Sequence, residues 1–128
     1  MLTEEAKLRV AALLDEMSSL VEFYERTPLT VSTIGSNGDT PLIVALIRED
    51  LQSTLDLLEA GADPNAIGED DFSALHWAAK AGPEFVRPLL ARGAIPRGRN
   101  MFGETPQDIA HRSENPDLIA LLANDRKA

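Results

Sequence analysis

The sequence predicts an all-α solenoid, a row of short helical hairpins stacked along one direction. Three observations carry this expectation. Helix-start motifs recur, with Thr40, Ser73 and Thr105 lying 33 and 32 residues apart. A helix-end block recurs too: Leu57-Leu58-Glu59-Ala60-Gly61-Ala62-Asp63-Pro64 is matched 32 residues later by Leu89-Leu90-Ala91-Arg92-Gly93-Ala94-Ile95-Pro96. Periods of this length are the mark of repeat architectures, in which a unit too small to bury both faces stacks on its neighbours. The composition also suits one soluble globular domain: 128 residues, 44% hydrophobic and 26% charged.

Each repeat reads as two short helices and a loop. The first helices start after Thr40, Ser73 and Thr105, whose hydroxyls can accept from free N–H groups of the first turn. Pro41 and Pro106 follow at the first helical position, where a missing N–H removes no helical bond. These helices run to about Ile47, Ala81 and Arg112. Second helices start near Asp50, Pro83 and Asn115-Pro116 and end near Ala60, Arg92 and Asn124. Gly61 and Gly93 sit where a helix closes through a left-handed residue. Pro88 falls inside one second helix, which is expected to start late or bend. Asp71 stands where Gly38 and Gly103 sit in the sister repeats, so that turn is expected to be less regular.

The N-terminal segment has two readings. Lys7 lies 33 residues before Thr40, which places Ala12 at the position of Ala45 and lets Ser18 or Ser19 cap a second helix. Alternatively, one helix runs from about Glu4 to Arg26, with Val10, Leu14, Met17, Val21 and Tyr24 forming a single apolar stripe. Either version covers the open end of the first strong repeat, which a stacked array requires.

The motifs Thr40-Pro41-Leu42-Ile43-Val44-Ala45, Ser73-Ala74-Leu75-His76-Trp77-Ala78-Ala79 and Gly61-Ala62-Asp63-Pro64-Asn65-Ala66 resemble the ankyrin repeat, whose unit carries Thr-Pro-Leu-His-x-Ala. The resemblance covers residues 36–123. It implies an ankyrin-repeat solenoid of helix-turn-helix units with β-turn fingers, divided into repeats 36–68, 69–100 and 101–128 behind a capping unit or helix at 1–35. It further implies a concave side, formed by first helices and fingers, that binds other proteins. The fingers are expected at Thr33–Asn37, Asn65–Asp71 and Arg97–Phe102. Their chemistry is uneven. Glu69, Asp70 and Asp71 form an acidic tip followed by Phe72; Arg97, Arg99 and Asn100 form a basic tip followed by Met101 and Phe102. With Asn37 and Lys80, these residues apart from Met101 are the candidate partner-binding set, the aromatics as anchors and the charges as steering groups. The competing reading has Phe72 and Phe102 packing on neighbouring fingers.

Charge narrows the partners. The chain carries 12 Lys+Arg against 21 Asp+Glu, a net charge of −9. Residues 1–64 hold 12 of the acids and only 4 of the bases. A phosphate backbone would be repelled, so nucleic acid is disfavoured as a partner. The amphipathic stretch from Leu8 to Tyr24 is acidic and would not seek an anionic membrane. No apolar run reaches the ~18 residues of a spanning helix. The absence of cysteine excludes disulfides and fits a reducing compartment. A cytoplasmic monomer is therefore expected.

No residue pattern proposes catalysis, a metal site or a cofactor. Glu69-Asp70-Asp71 lacks the alternating oxygen ligands of a calcium loop. Ile34-Gly35-Ser36-Asn37-Gly38 lacks the lysine of a phosphate loop. His76 occupies the repeat's histidine position, where the resemblance implies hydrogen bonding between repeats. Trp77 falls in the slot of Val44 and Ile109 and is expected in the core, where its removal would cost ~3–5 kcal/mol. The expected function is a non-catalytic interaction module, an adaptor or an inhibitor such as a bacterial immunity protein facing a basic toxin. The alternative is a small-molecule binder or small hydrolase using a groove around His76, His111 and Asp108. A third possibility is self-association through the ends of the stack.

Overall fold

A computed structural model describes residues 2–24, 26, 28–96 and 98–123. Among the described residues, seven α-helices follow one another: α1 (Glu4–Met17), α2 (Pro41–Ile47), α3 (Leu51–Glu59), α4 (Ala74–Ala81), α5 (Pro83–Ala91), α6 (Pro106–Ser113) and α7 (Pro116–Ala123). The pairs α2/α3, α4/α5 and α6/α7 are hairpins. They stack in two rows, α2 on α4 on α6 and α3 on α5 on α7. Among the described residues there is no strand, only an isolated antiparallel bridge between Ile67 and Ser73. This is the all-α solenoid that the repeat spacing predicts.

The helix starts follow from their capping chemistry. Thr40, Ser73 and Thr105 each accept a bond from the third backbone N–H of the helix they cap, at 3.4, 3.3 and 3.2 Å. In α4 and α6 the third residue answers, with His76 Nδ1 and Asp108 Oδ2 accepting from the cap's own N–H. Asp50 caps α3 in the same manner. Pro88 neither delays nor divides its helix, since α5 runs unbroken from Pro83 to Ala91. Gly61 and Gly93 take φ of +100° and +91°, and the N–H groups of Ala62 and Ala94 turn back to the carbonyls of Leu57 and Leu89 at 3.0 Å. Asn124, where the last helix is expected to end, lies outside the described residues.

The core is a ladder of equivalent positions. Ala45, Ala78 and Ala110 are all fully buried along the first-helix row, where small side chains let successive helices approach closely. Leu42 and Leu75 lie beside them, and Leu57, Leu89 and Leu122 fill the second row.

The N-terminal segment follows neither expected course. It forms one helix, but that helix stops at Met17, and only a single 3-10 turn at Val21–Phe23 comes after. The proposed stripe therefore ends early: Val10 and Met17 are buried, whereas Val21 and Tyr24 are exposed. Ala12 is exposed too, so it does not play the part of Ala45. The helix packs on α3, in the second row. Arg9 binds Asp56 with two nitrogens at 2.7 and 3.1 Å, and Glu16 takes the guanidinium of Arg48 at 2.9 and 3.1 Å. The early part of α1 thus meets the late part of α3, and the two helices run antiparallel. Phe23, fully buried, joins Met17 and Leu42 in the core.

The fingers share one backbone bond, and each donates once to the unit before it. The N–H groups of Gly35, Gly68 and Asn100 donate to the carbonyls of Asp39, Phe72 and Glu104 at 2.7, 2.9 and 2.9 Å. One residue on, Ser36, Glu69 and Met101 each donate backward to the preceding unit, at Glu22 O, Asp39 Oδ1 and Asp70 O. The middle finger is the irregular one. Asp70 and Asp71 have φ of +59° and +62°, and Asp71 holds the left-handed position that Gly38 and Gly103 hold elsewhere. Asp71→Gly should raise stability by about 0.5–1 kcal/mol, because only glycine takes that conformation without steric cost. Gly68→Ala should act oppositely: a Cβ there would sit 2.0 Å from Asp39 Oδ1, forcing the two fingers apart at a cost of roughly 1–3 kcal/mol. Urea unfolding of the two variants checks both signs.

Candidate protein-binding surface

The fingers and the first-helix row converge on a cluster of aromatic side chains. Phe72 lies between the middle finger and α4. Its ring stacks on Trp77 with centroids 4.8 Å apart and planes at 30°, and it meets Phe102 edge-on at 6.2 Å. The ring of His76 lies behind it at 5.6 Å. Lys80, one turn after Trp77, carries its ammonium 5.2 Å from the indole centroid. Phe102 is 67% exposed and Met101 is 59% exposed, so the outer end of the cluster faces solvent. Phe72 and Phe102 pack on one another across neighbouring fingers, and Phe102 still presents an exposed ring.

The charged candidates divide. Glu69, Asp70 and Asp71 are exposed, and none of them forms an ion pair among the described residues. Asn37 braces this tip, its Nδ2 reaching Asp39 Oδ2 at 3.3 Å and Glu69 Oε1 at 3.5 Å. Arg99 is exposed and donates to the Gly103 carbonyl at 2.7 Å. Asn100 belongs to the interior rather than to the surface. It is 5% exposed, its Oδ1 accepts from the N–H groups of Phe102 and Glu104, and its Nδ2 donates to Glu104 Oε1. Its amide shapes the third finger and is not available to a partner. Arg97 lies outside the described residues.

Trp77 meets its core expectation only in part: it packs against the core but is not enclosed by it. Val44 and Ile109, its equivalents, are buried, but the larger indole projects from the same slot and is only half-buried. The signal was available in that comparison: a tryptophan cannot be accommodated where valine and isoleucine already fill the space. A second missed feature is the position that Ile47, Lys80 and Arg112 share at the end of the first helices. All three are exposed, which makes it the outward register of the row. Arg112 pairs with Glu104, and that pairing, with the Asn100 amide, holds the Glu104 carboxyl below the usual carboxylate range.

The groove around His76, His111 and Asp108 does not form. His76 is fully buried, its Nδ1 accepting from the Ser73 N–H at 3.0 Å and its Nε2 lying 2.8 Å from the Glu104 carbonyl. Because Nδ1 accepts, Nε2 carries the proton and donates. Both ring nitrogens are therefore committed to joining α4 to the next finger. His111 and Asp108 lie elsewhere, on a cleft of ≈ 500 Å³ with Pro96, Gln107 and Ile119. Among the described residues, no group of three His, Asp or Glu side chains converges as metal ligands would, and no helix is long and apolar enough to cross a membrane.

The ankyrin repeat family model matches residues 37–69, which hold the first hairpin and the turn into the next finger. The chain is an ankyrin repeat protein. Inversin from Gallus gallus is 29% identical over 118 residues, covering 91% of this chain and 11% of inversin. The Canis lupus familiaris inversin is 36% identical over 86 residues, covering 66% of this chain and 8% of that protein. Ankyrin repeat and SOCS box protein 16 from Mus musculus is 34% identical over 117 residues, covering 84% of this chain and 26% of its own length. The ankyrin chain thus spans about a tenth to a quarter of these relatives.

Burial lowers the basicity of His76, although the Glu104 carbonyl partly offsets the shift. Between its folded value and the ordinary histidine value of about 6.5, the unfolded chain binds a proton that the folded chain refuses. Its contribution to stability is therefore complete above about pH 6.5 and declines as the pH falls below that. Asp39 works in the opposite sense, since burial raises its pKa and protonation suits the folded form. Glu16, Asp56 and Glu104, all lowered chiefly by their arginine partners, lose their contributions only in the acid range. Urea midpoints should fall between pH 7.5 and 5.5, and the slope should be shallower in His76→Gln. An equal slope in that variant would show that another group carries the dependence.

Proposed function

We propose that this ankyrin array is a non-catalytic protein-binding module that acts as an adaptor or inhibitor through its finger and first-helix side. The observation that supports this reading most directly is the cluster of Phe72, Trp77 and Phe102, continued to the surface by Met101. Aromatic side chains in such a setting are the usual anchors of an interface, since they bury large area for little lost rotamer freedom. Both imidazole nitrogens of His76 are occupied beneath the cluster, which leaves a surface suited to contact rather than to proton transfer.

The finer reading is a basic protein partner, approached by a monomeric cytoplasmic chain. Support comes from the net charge of −9 and from the three exposed acids on the middle finger, which form no ion pair among the described residues. Complementary charge of this kind accelerates encounter and weakens with salt. Neutralisation of a basic toxin domain is one concrete form that such a module would take.

Affinity capture from a source lysate, read by mass spectrometry, tests the proposal. The wild-type chain should retain a specific partner at low salt and release it at high salt. Phe102→Ala, and separately Asp70→Asn with Arg99→Glu, should lose that partner with little change in melting temperature, because these side chains are exposed and asparagine tolerates the left-handed turn at residue 70. Equal recovery by the wild type and both variants would remove this surface from the function.

A further inference from the structure

The surface is polarised along its length, and the polarity selects the chemistry of what it binds. At one end, the N–H of Met101 donates to the Asp70 carbonyl at 2.9 Å, so the exposed Met101 and Phe102 stand beside the Asp70–Asp71 tip. At the other end, Lys80 already places a cation on Trp77. Arg99, in the third finger, donates to the Gly103 carbonyl of its own loop. A second cation arriving over Trp77 would meet Lys80 and be repelled. The same cation arriving at Phe102 would find a free aromatic face and two carboxylates that lack any ion pair among the described residues. A planar guanidinium suits that pair of surfaces better than an ammonium does, since it stacks on a ring and is more weakly hydrated.

We propose that the Met101–Phe102 finger tip, together with Asp70 and Asp71, receives an arginine carried on a basic, partly apolar segment of a partner protein. The guanidinium lies on the Phe102 ring with the two carboxylates beside it, and the apolar neighbours of that arginine cover Met101. Lys80 sets the direction in which the segment lies by excluding positive charge from the Trp77 end. This inference rests on the protein-binding reading above and names the chemistry of its partner.

The test uses the whole chain and defined pentapeptides, acetyl-Gly-Leu-Arg-Leu-Gly-amide and its citrulline and glutamate counterparts. Binding is followed by the amide NMR shifts of Met101 and Phe102 and by the indole signal of Trp77, the single tryptophan. The arginine peptide should bind about five- to tenfold more tightly than the neutral citrulline peptide at low salt, and the glutamate peptide more weakly than either. Asp70→Asn with Asp71→Asn keeps side chains that tolerate the left-handed turn and should abolish the arginine advantage. Phe102→Ala should reduce it. The proposal is overturned if arginine and citrulline peptides bind equally, if the glutamate peptide binds best, or if the advantage survives the double asparagine variant. Loss of the captured partner in Phe102→Ala, with no arginine preference, would overturn this inference alone. Partner capture indifferent to Phe102→Ala would overturn the binding reading itself.

Discussion

The burial of Leu42, Ala45, Leu75 and Ala78 between successive first helices is the contact that holds the array in register. A single hairpin cannot cover both of its faces, so each repeat is stable only against a neighbour. The fixed spacing of those small and large apolar side chains sets the offset between units. Once that offset is set, equivalent atoms of adjacent fingers fall into bonding distance. Ser36, Glu69 and Met101 can then donate backward to the preceding unit because the helices beneath them have already been aligned. His76 adds a forward link to Glu104, buried and neutral, which ties helix packing to finger position.

Departures from the repeat are concentrated at one place. Asp71 occupies a left-handed position that glycine fills in both sister repeats, and Asp70 beside it is left-handed as well. Trp77 overfills a slot sized for valine or isoleucine. Phe72 stands where Asp39 and Glu104 stand in the other units. Each of these choices is locally unfavourable or unnecessary for stacking, and all of them adjoin the same aromatic surface. Natural sequences tend to break local rules at functional sites, where strain is retained for another purpose. These departures set the finger and first helix of the middle repeat apart from those of its neighbours.

The repeats were legible because their signals are local and redundant. Thr40, Ser73 and Thr105 mark helix starts through hydroxyl chemistry that needs no tertiary information, and Gly61 and Gly93 mark helix ends through a backbone conformation few other residues accept. The N-terminal unit was not legible on the same grounds. Residues 4–17 form a good amphipathic helix, but amphipathicity says only that one face is buried, not which row the helix joins or in which direction it runs. Those facts depend on Arg9 meeting Asp56 and Glu16 meeting Arg48, pairings distant in sequence. The candidate surface was half legible. Its acidic tip and Phe102 stand out by composition, whereas the inward role of Asn100 depends on which backbone groups the turn leaves without partners. The exposure of Trp77 depends on side-chain volume compared across repeats.

Charge is not evenly compensated over the molecule. Opposite charges are matched across units: Arg9 with Asp56, Glu16 with Arg48 at the end of α2, and Glu59 with Arg92 at 3.1 Å. The last two link residues 32 and 33 positions apart, the length of one repeat. Exposed pairs of this kind add little stability individually. Their effect is to neutralise carboxylates that would otherwise project a negative field. Among the described residues Glu69, Asp70 and Asp71 form no such pair, and they lie beside the exposed rings. A chain rich in acid everywhere would attract basic partners without orientation. On the proposed reading, the acids of the middle finger, exposed beside the aromatic cluster, would steer a basic partner toward those rings before any apolar contact is made.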